Sequence, residues 1–181
     1  MFLPRGDFPW TRELEAGFPD IKAEYLALDG RRFKRWPETE LYNRGWDAFG
    51  LMGFGRHFEE NLACCPKLGA ILARIPGLTT AGFSILAPGT VIKPHVGYTS
   101  TVLRCHLGIA VPEDCAIRVG AETRTWREGE CLVFDDTVEH EAWNRSGRPR
   151  VVLLLDVVRP GQSFDDDTPG RDLLIDYFTR G

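Results

Sequence analysis

From Gly82 onward the chain falls into short, β-rich segments at close spacing, and that rhythm limits the folds open to it more than any other feature. The segments are Gly82–Ala87, Thr101–Val111, Cys115–Val119, Thr123–Trp126, Cys131–Phe134, Glu141–Asn144 and Arg150–Val158. Between them stand Pro88-Gly89, Pro112-Glu113-Asp114, Arg127-Glu128-Gly129 and Ser146-Gly147. Pro withholds an amide donor and Gly tolerates positive φ, so such clusters end strands and turn the chain. Several short strands punctuated in this way predict a sandwich or barrel and argue against a βαβ fold.

The first 80 residues differ in texture and are expected to be mostly helix and loop. Pro19-Asp20 can open a helix through Ile21, Tyr25 and Leu28, because Pro suits the first turn. Pro66 can open another that carries Leu68, Ile71 and Leu72 and must stop before Pro76. Trp10, Phe18, Trp36, Tyr42, Trp46 and Phe49 are expected to pack this layer onto the sheet. Asp165-Asp166-Asp167-Thr168-Pro169 reads as an acidic loop capping a last helix with Leu173, Leu174 and Tyr177. At 181 residues the expectation is one domain. Residues 1–80 would form a helical and loop layer, 81–160 an all-β core, and 161–181 a closing loop and helix. That is a mainly β fold with flanking helices.

A net charge of −4 and an apolar content of 43% exclude a disordered chain and a general nucleic-acid binder. No run approaches the roughly 18 apolar residues of a membrane span, and no secretory signal is read at the N-terminus. The five cysteines are odd in number and lack metal-type spacing, so reduced, buried thiols in a cytoplasmic protein are expected.

The chemistry-bearing residues are few. Of the four histidines, His57 reads as a surface or loop residue. His95 follows Pro94 where a strand is expected to begin, and His140 closes a loop holding Asp135, Asp136 and Glu139. Imidazole suits Fe(II), and a sheet can bring two distant histidines to one ion. Arg150, ten residues beyond His140, opens the most apolar strand, where a guanidinium can clamp a carboxylate bidentately. A metal with a dicarboxylate cosubstrate is the reading these residues suggest. Period-two alternation also puts Val102, Arg104 and His106 on one face. Two arrangements stay open for the arginines: turned inward and in need of an anion, or outward at strand ends and paired with Asp or Glu.

Several motifs in one order carry a resemblance. Phe83-Ser84-Ile85, Pro88-Gly89-Thr90, Pro94-His95-Val96-Gly97, Leu103-Arg104-Cys105-His106-Leu107-Gly108, Ile117-Arg118, Trp126-Arg127-Glu128-Gly129, Phe134-Asp135-Asp136, Glu139-His140-Glu141-Ala142-Trp143-Asn144 and the strand from Arg150 to Asp156 are similar to the aspartyl/asparaginyl β-hydroxylase family. The resemblance implies a double-stranded β-helix (a jelly roll, cupin-like) and an oxygenase using Fe(II), 2-oxoglutarate and O2. In it, His95 and His140 would ligate iron, Arg150 and Ser84 would hold the distal carboxylate of 2-oxoglutarate, and Arg104 and His106 the carboxylate near iron. Gly97 stands where related oxygenases carry an acidic ligand, and the family tolerates that absence. Asp135 and Asp136 are expected to orient His140 and not to ligate. Family members acting on peptide domains commonly have a second Arg two positions before the one matching Arg104; Val102 stands there, which removes a positive partner for an acidic substrate. The substrates left open are a small amino acid, a carrier-bound aminoacyl group, a peptide or a lipid-linked acyl chain, with the β-carbon of an amino acid or amino-acid residue in a small molecule or peptide the expected target. The alternatives are a cupin-like binding module or isomerase, suggested by Gly129, Asp135, His140 and Asn144, and a halogenase using the vacant position at Gly97.

Overall fold

The computed structural model describes residues 1–164 and 171–179. In chain order the elements are β1 (Phe2–Leu3), α1 (Thr11–Ala16), α2 (Phe18–Ala27), β2 (Lys34–Arg35), β3 (Trp46–Gly53), β4 (Arg56–His57), α3 (Glu59–Leu62) and α4 (Pro66–Leu72). The second half holds β5 (Leu78–Leu86), β6 (Thr90–His95), β7 (Val102–Ala110), β8 (Cys115–Val119), β9 (Glu122–Arg124), β10 (Cys131–Phe134), β11 (His140–Asn144), β12 (Arg150–Val158) and α5 (Arg171–Thr179). Eight strands form one sheet in the order β1-β10-β7-β12-β5-β3-β2, with β4 added to β3, and four form a second in the order β6-β11-β8-β9. The fold is mainly β with flanking helices, and its two facing sheets make a jelly roll.

Two apolar clusters show how β12 serves both faces of the large sheet. Val151, Leu153, Leu155 and Val157 pack with Leu14, Ile21, Leu68 and Ile71 of the helical layer. Val152 turns the other way, into a cluster with Ile117, Val119, Trp126 and Phe134 between the sheets. Alternation along a strand sends successive side chains to opposite faces, so Arg150, Leu154 and Asp156 share the inner face with Val152. Leu153 and Leu155 are wholly buried, and each contributes about 2 kcal/mol by leaving water. The helices are fixed to one another as well as to the sheet. Glu24 of α2 accepts from the Lys67 and Leu68 amides at 2.8 and 3.0 Å, satisfying the unpaired first turn of α4.

The sequence reading of the second half meets the structure closely: Cys115–Val119, Cys131–Phe134 and Arg150–Val158 are strands with those bounds. It misplaced others. His95 ends β6 and does not begin a strand, and β9 lies slightly before its expected span. The largest correction is in the first half, where Trp46–Gly53 is an eight-residue strand between β5 and β2. Buried residues lie on both of its faces and a bulge falls between Gly50 and Met52, which together erase the alternation that marks a half-buried strand. Residues 1–80 are therefore helical layer and sheet together. The acidic run 165–169 lies outside the described residues. All five cysteines are free and only Cys64 is not buried; burial pushes the Cys65 thiol up to about 12. Among the described residues, no helix is long and apolar enough to cross a membrane.

Candidate metal and anion site

β6 and β11 run antiparallel with His95 directly opposite His140, and their rings stand 4.2 Å apart, centroid to centroid. Each ring is oriented by the backbone two residues before it. His95 Nδ1 lies 2.8 Å from the Lys93 carbonyl and His140 Nδ1 3.0 Å from the Val138 carbonyl. A carbonyl only accepts, so the proton is assigned to Nδ1 and the Nε2 lone pair of each ring is left for a ligand. Burial pushes the His140 pKa down to about 3, with the charges of His95 and Arg104 adding to the effect. His95 is lowered in the same direction, first by burial. Both rings are therefore neutral at physiological pH, the form that binds a metal. Among the described residues, no group of three or more His, Cys, Asp or Glu side chains is gathered as a metal site; the pair stands by itself.

The space beside Gly97 is taken. A side chain there would collide with the carboxylate of Asp136, which is wholly buried and whose two oxygens have no hydrogen-bond partner. Burial raises the Asp136 pKa to about 6, opposed by Arg104 and reinforced by Asp156. Sequence reasoning expected Asp135 and Asp136 to orient His140, and the structure corrects this. The Val138 carbonyl does that work, while Asp135 accepts from Thr137 and pairs with Arg159 in the turn. Asp136 instead fills the place of a residue-97 side chain. Val102 is wholly buried and lies off the cavity beside His95, whose lining it does not join.

A second buried group, on β12 and β7, is basic and has no carboxylate paired with it. Arg150 is almost fully buried, and its Nε and Nη1 have no hydrogen-bond partner. Burial lowers its pKa to about 9, so it remains charged at neutral pH. Its guanidinium stacks 4.6 Å over the Trp126 ring. The same indole donates from Nε1 to His106 Nδ1 at 3.2 Å. A ring nitrogen that accepts carries no proton, so neutral His106 presents an N–H at Nε2, and that buried atom also has no partner. Burial followed by the charges of Arg150 and Arg104 holds the His106 pKa well below its usual value. Ser84, on the strand beside Arg150, accepts from Trp46 Nε1 at 3.0 Å and keeps its own hydroxyl proton to donate. These convergent donors without an acceptor fit an anionic, carboxylate-bearing guest, because buried polar groups left unpaired are costly. The sequence shows Trp126 only as part of the Trp126-Arg127-Glu128-Gly129 motif and gives it no role of its own; nothing local to that turn shows that one indole would support both groups.

Arg104 departs from expectation. It does not await a carboxylate of 2-oxoglutarate, since Asp156 lies opposite it in register and accepts from its Nε and Nη2 at 2.8 and 3.0 Å. Asp136 Oδ2 stands 3.3 Å from the same Nη2. Tyr98 donates to Asp156 at 3.3 Å. The two arrangements left open by the sequence thus divide between the arginines: both turn inward, but only Arg104 finds protein acids.

A jelly roll whose interior holds two facing imidazoles and unpaired basic donors defines a class of cupin-like β-helix proteins. Residues 15–160 match the family described as aspartyl/asparaginyl beta-hydroxylase, and the chain belongs to that family. It is 42% identical over 167 residues to an ornithine lipid ester-linked acyl 2-hydroxylase of Rhizobium tropici, covering 86% of this chain and 59% of that one. It is 38% identical over 159 residues to the aspartyl/asparaginyl beta-hydroxylase of Homo sapiens, covering 83% and 21%. The aspartate beta-hydroxylase domain-containing protein 2 of Homo sapiens is 36% identical over 162 residues, covering 81% and 44%. The chain thus spans between about a fifth and three-fifths of the length of these relatives.

Proposed function

We propose that the protein is an Fe(II)- and 2-oxoglutarate-dependent hydroxylase. The observation that carries this reading is that the same interior holds two metal-ready imidazoles and buried, unpaired donors on Arg150 and His106. His95 and His140 would hold the iron through Nε2. Arg150 and Ser84 would hold the distal carboxylate of 2-oxoglutarate, and His106 would donate to the end nearer the metal. When bound, iron and 2-oxoglutarate reduce O2, yielding succinate and CO2 and placing one oxygen atom in a substrate C–H bond.

The protein's own contribution is orientation and the exclusion of water. The Lys93 and Val138 carbonyls fix both imidazoles, and Trp126 fixes the tautomer of His106 while carrying Arg150 on its face. The family points to the β-carbon of an amino acid or amino-acid residue as the target, and the Rhizobium relative's name to an acyl carbon. Halogenation is disfavoured because the motifs around the site follow the hydroxylase family and the Asp136 carboxylate already takes the space beside Gly97.

Turnover of 2-oxoglutarate to succinate with added Fe(II), together with Mn(II)-dependent 2-oxoglutarate binding by calorimetry, tests the reading. Both should be present in the wild type and absent from His95→Ala and His140→Ala. Full activity in either variant refutes the ligand assignment. No binding of 2-oxoglutarate at millimolar concentration would favour a cupin-like binding module.

A further inference from the structure

We infer that Phe54 and Tyr98 are specificity-determining residues, a pair of rings that shuts the cavity at its His95 end and admits only a guest able to part them. The inference deepens the hydroxylase reading and rests on it, because the guest would be that reaction's substrate. The cavity, of about 260 Å³, is lined in part by His95, Tyr98, Phe54, Phe83, Ser84 and Trp46. Depth along it follows from exposure. Phe83, Ser84 and Trp46 are buried, whereas Tyr98 is 40% exposed and Phe54 half-buried, so the two rings stand at the solvent end. They meet edge to face, 5.4 Å between centroids and 66° between planes, a contact that leaves no passage between them.

The chain holds Phe54 there against the preference of its own turn. Met52 pairs with His57 and Gly53 with Arg56, so Phe54-Gly55 is a two-residue hairpin loop. Both residues have positive φ, 50° and 78°, as a type I′ turn requires. Asn or Gly suits the first of these positions, and a bulky side chain does not. Among the described residues other than glycine only Phe54 and Asp114 have positive φ, and Asp is a type that tolerates it. The turn thus gives no reason for a phenylalanine, and its strain is offset by what the ring meets, which is Tyr98. The two rings differ in freedom. The Tyr98 hydroxyl donates to Asp156 at 3.3 Å, and Arg104 holds Asp156 through two bonds. Phe54 stands at the tip of an arm whose second strand, β4, is two exposed residues. The Gly55 amide ties that tip to the Thr79 carbonyl at 2.8 Å, so the backbone stays and the Phe54 side chain is the part that swings.

The test reads fluorescence quenching of Trp46, which is buried and lines the cavity, as the difference between each protein and the same protein carrying Trp46→Phe. Acrylamide quenching of that indole should rise about fivefold in Phe54→Asn, the closed-to-open ratio that one aromatic pair sustains. Tyr98→Ala removes the other ring and should do the same. A bulkier piperidine nitroxide should be kept out of the wild type and should quench both variants nearly as well as acrylamide does. Phe54→Asn gives the turn a residue it prefers, so its folding equilibrium constant should lie about fivefold above that of Phe54→Leu, which keeps the strain. Unchanged quenching in both ring variants, or equal admission of the two quenchers by the wild type, overturns the inference. So does a folding constant for Phe54→Asn more than about tenfold below wild type, since the ring would then be a piece of core. Mn(II)-dependent 2-oxoglutarate binding is measured in parallel. If it persists while the ring variants quench like the wild type, only the gate falls; if it is lost while they open, the hydroxylase reading falls and takes the substrate role of the rings with it.

Discussion

Arg104 and Arg150 lie on the inner face of the same sheet, yet they meet the cost of burial in opposite ways. Arg104 has its anions built in, with Asp156 opposite and Asp136 beside it. Arg150 has an indole face and no carboxylate, and two of its nitrogens are without partners. A buried ion that the fold itself neutralises is part of the structure. One that the fold leaves unpaired is held for something else, because its desolvation is recovered only when a guest arrives. The contrast assigns the region around Arg104 to architecture and that around Arg150 to binding.

Four substitutions would break or sharpen that contrast. The largest effect is expected from Asp156→Ala, which strips Arg104 of its bidentate partner. It should lose about 3 kcal/mol of stability to denaturant, and the pair Arg104→Met with Asp156→Leu should recover most of it. Stability unchanged in the single variant would show that Arg104 needs no internal anion. Arg150→Met comes next, with the opposite profile. Calorimetry should show 2-oxoglutarate binding at least about a hundredfold weaker, while the unfolding free energy moves by less than about 1 kcal/mol, since no protein acid loses a partner. Equal losses in both measurements would erase the distinction between the two regions. His106→Phe keeps a ring and removes the unpaired Nε2 donor, and should weaken 2-oxoglutarate about tenfold, as expected for one hydrogen bond to a charged group. The smallest shift belongs to Trp126→Phe, which keeps an aromatic face for Arg150 but frees His106 to change tautomer. About a threefold loss in the same titration is expected, and none at all would mean that the indole N–H does not set the orientation of His106.

How far the site could be read from the sequence follows the same division. The jelly-roll strands after Gly82 were legible because turn residues bracket them and each is short. β3 was not, because a strand covered on both faces loses its period-two signal and this one also carries glycines. His95, His140, Ser84, His106 and Arg150 were named through motif order, and the structure brings them into one interior. The sequestration of Arg104 was hidden because its partner Asp156 is 52 residues away. The position of Asp136 against Gly97 depends likewise on a turn and a strand end meeting, as does the double duty of Trp126.

By itself, the sequence determined which residues could do chemistry and where most of the strands after Gly82 would lie, since residue type and local spacing are carried by the chain. Only the tertiary structure decided which charges cancel and which remain open. Desolvation and pairing depend on what lies across the sheet, and for Arg104 and Arg150 that neighbour is set by register, with no trace in the residues on either side of them.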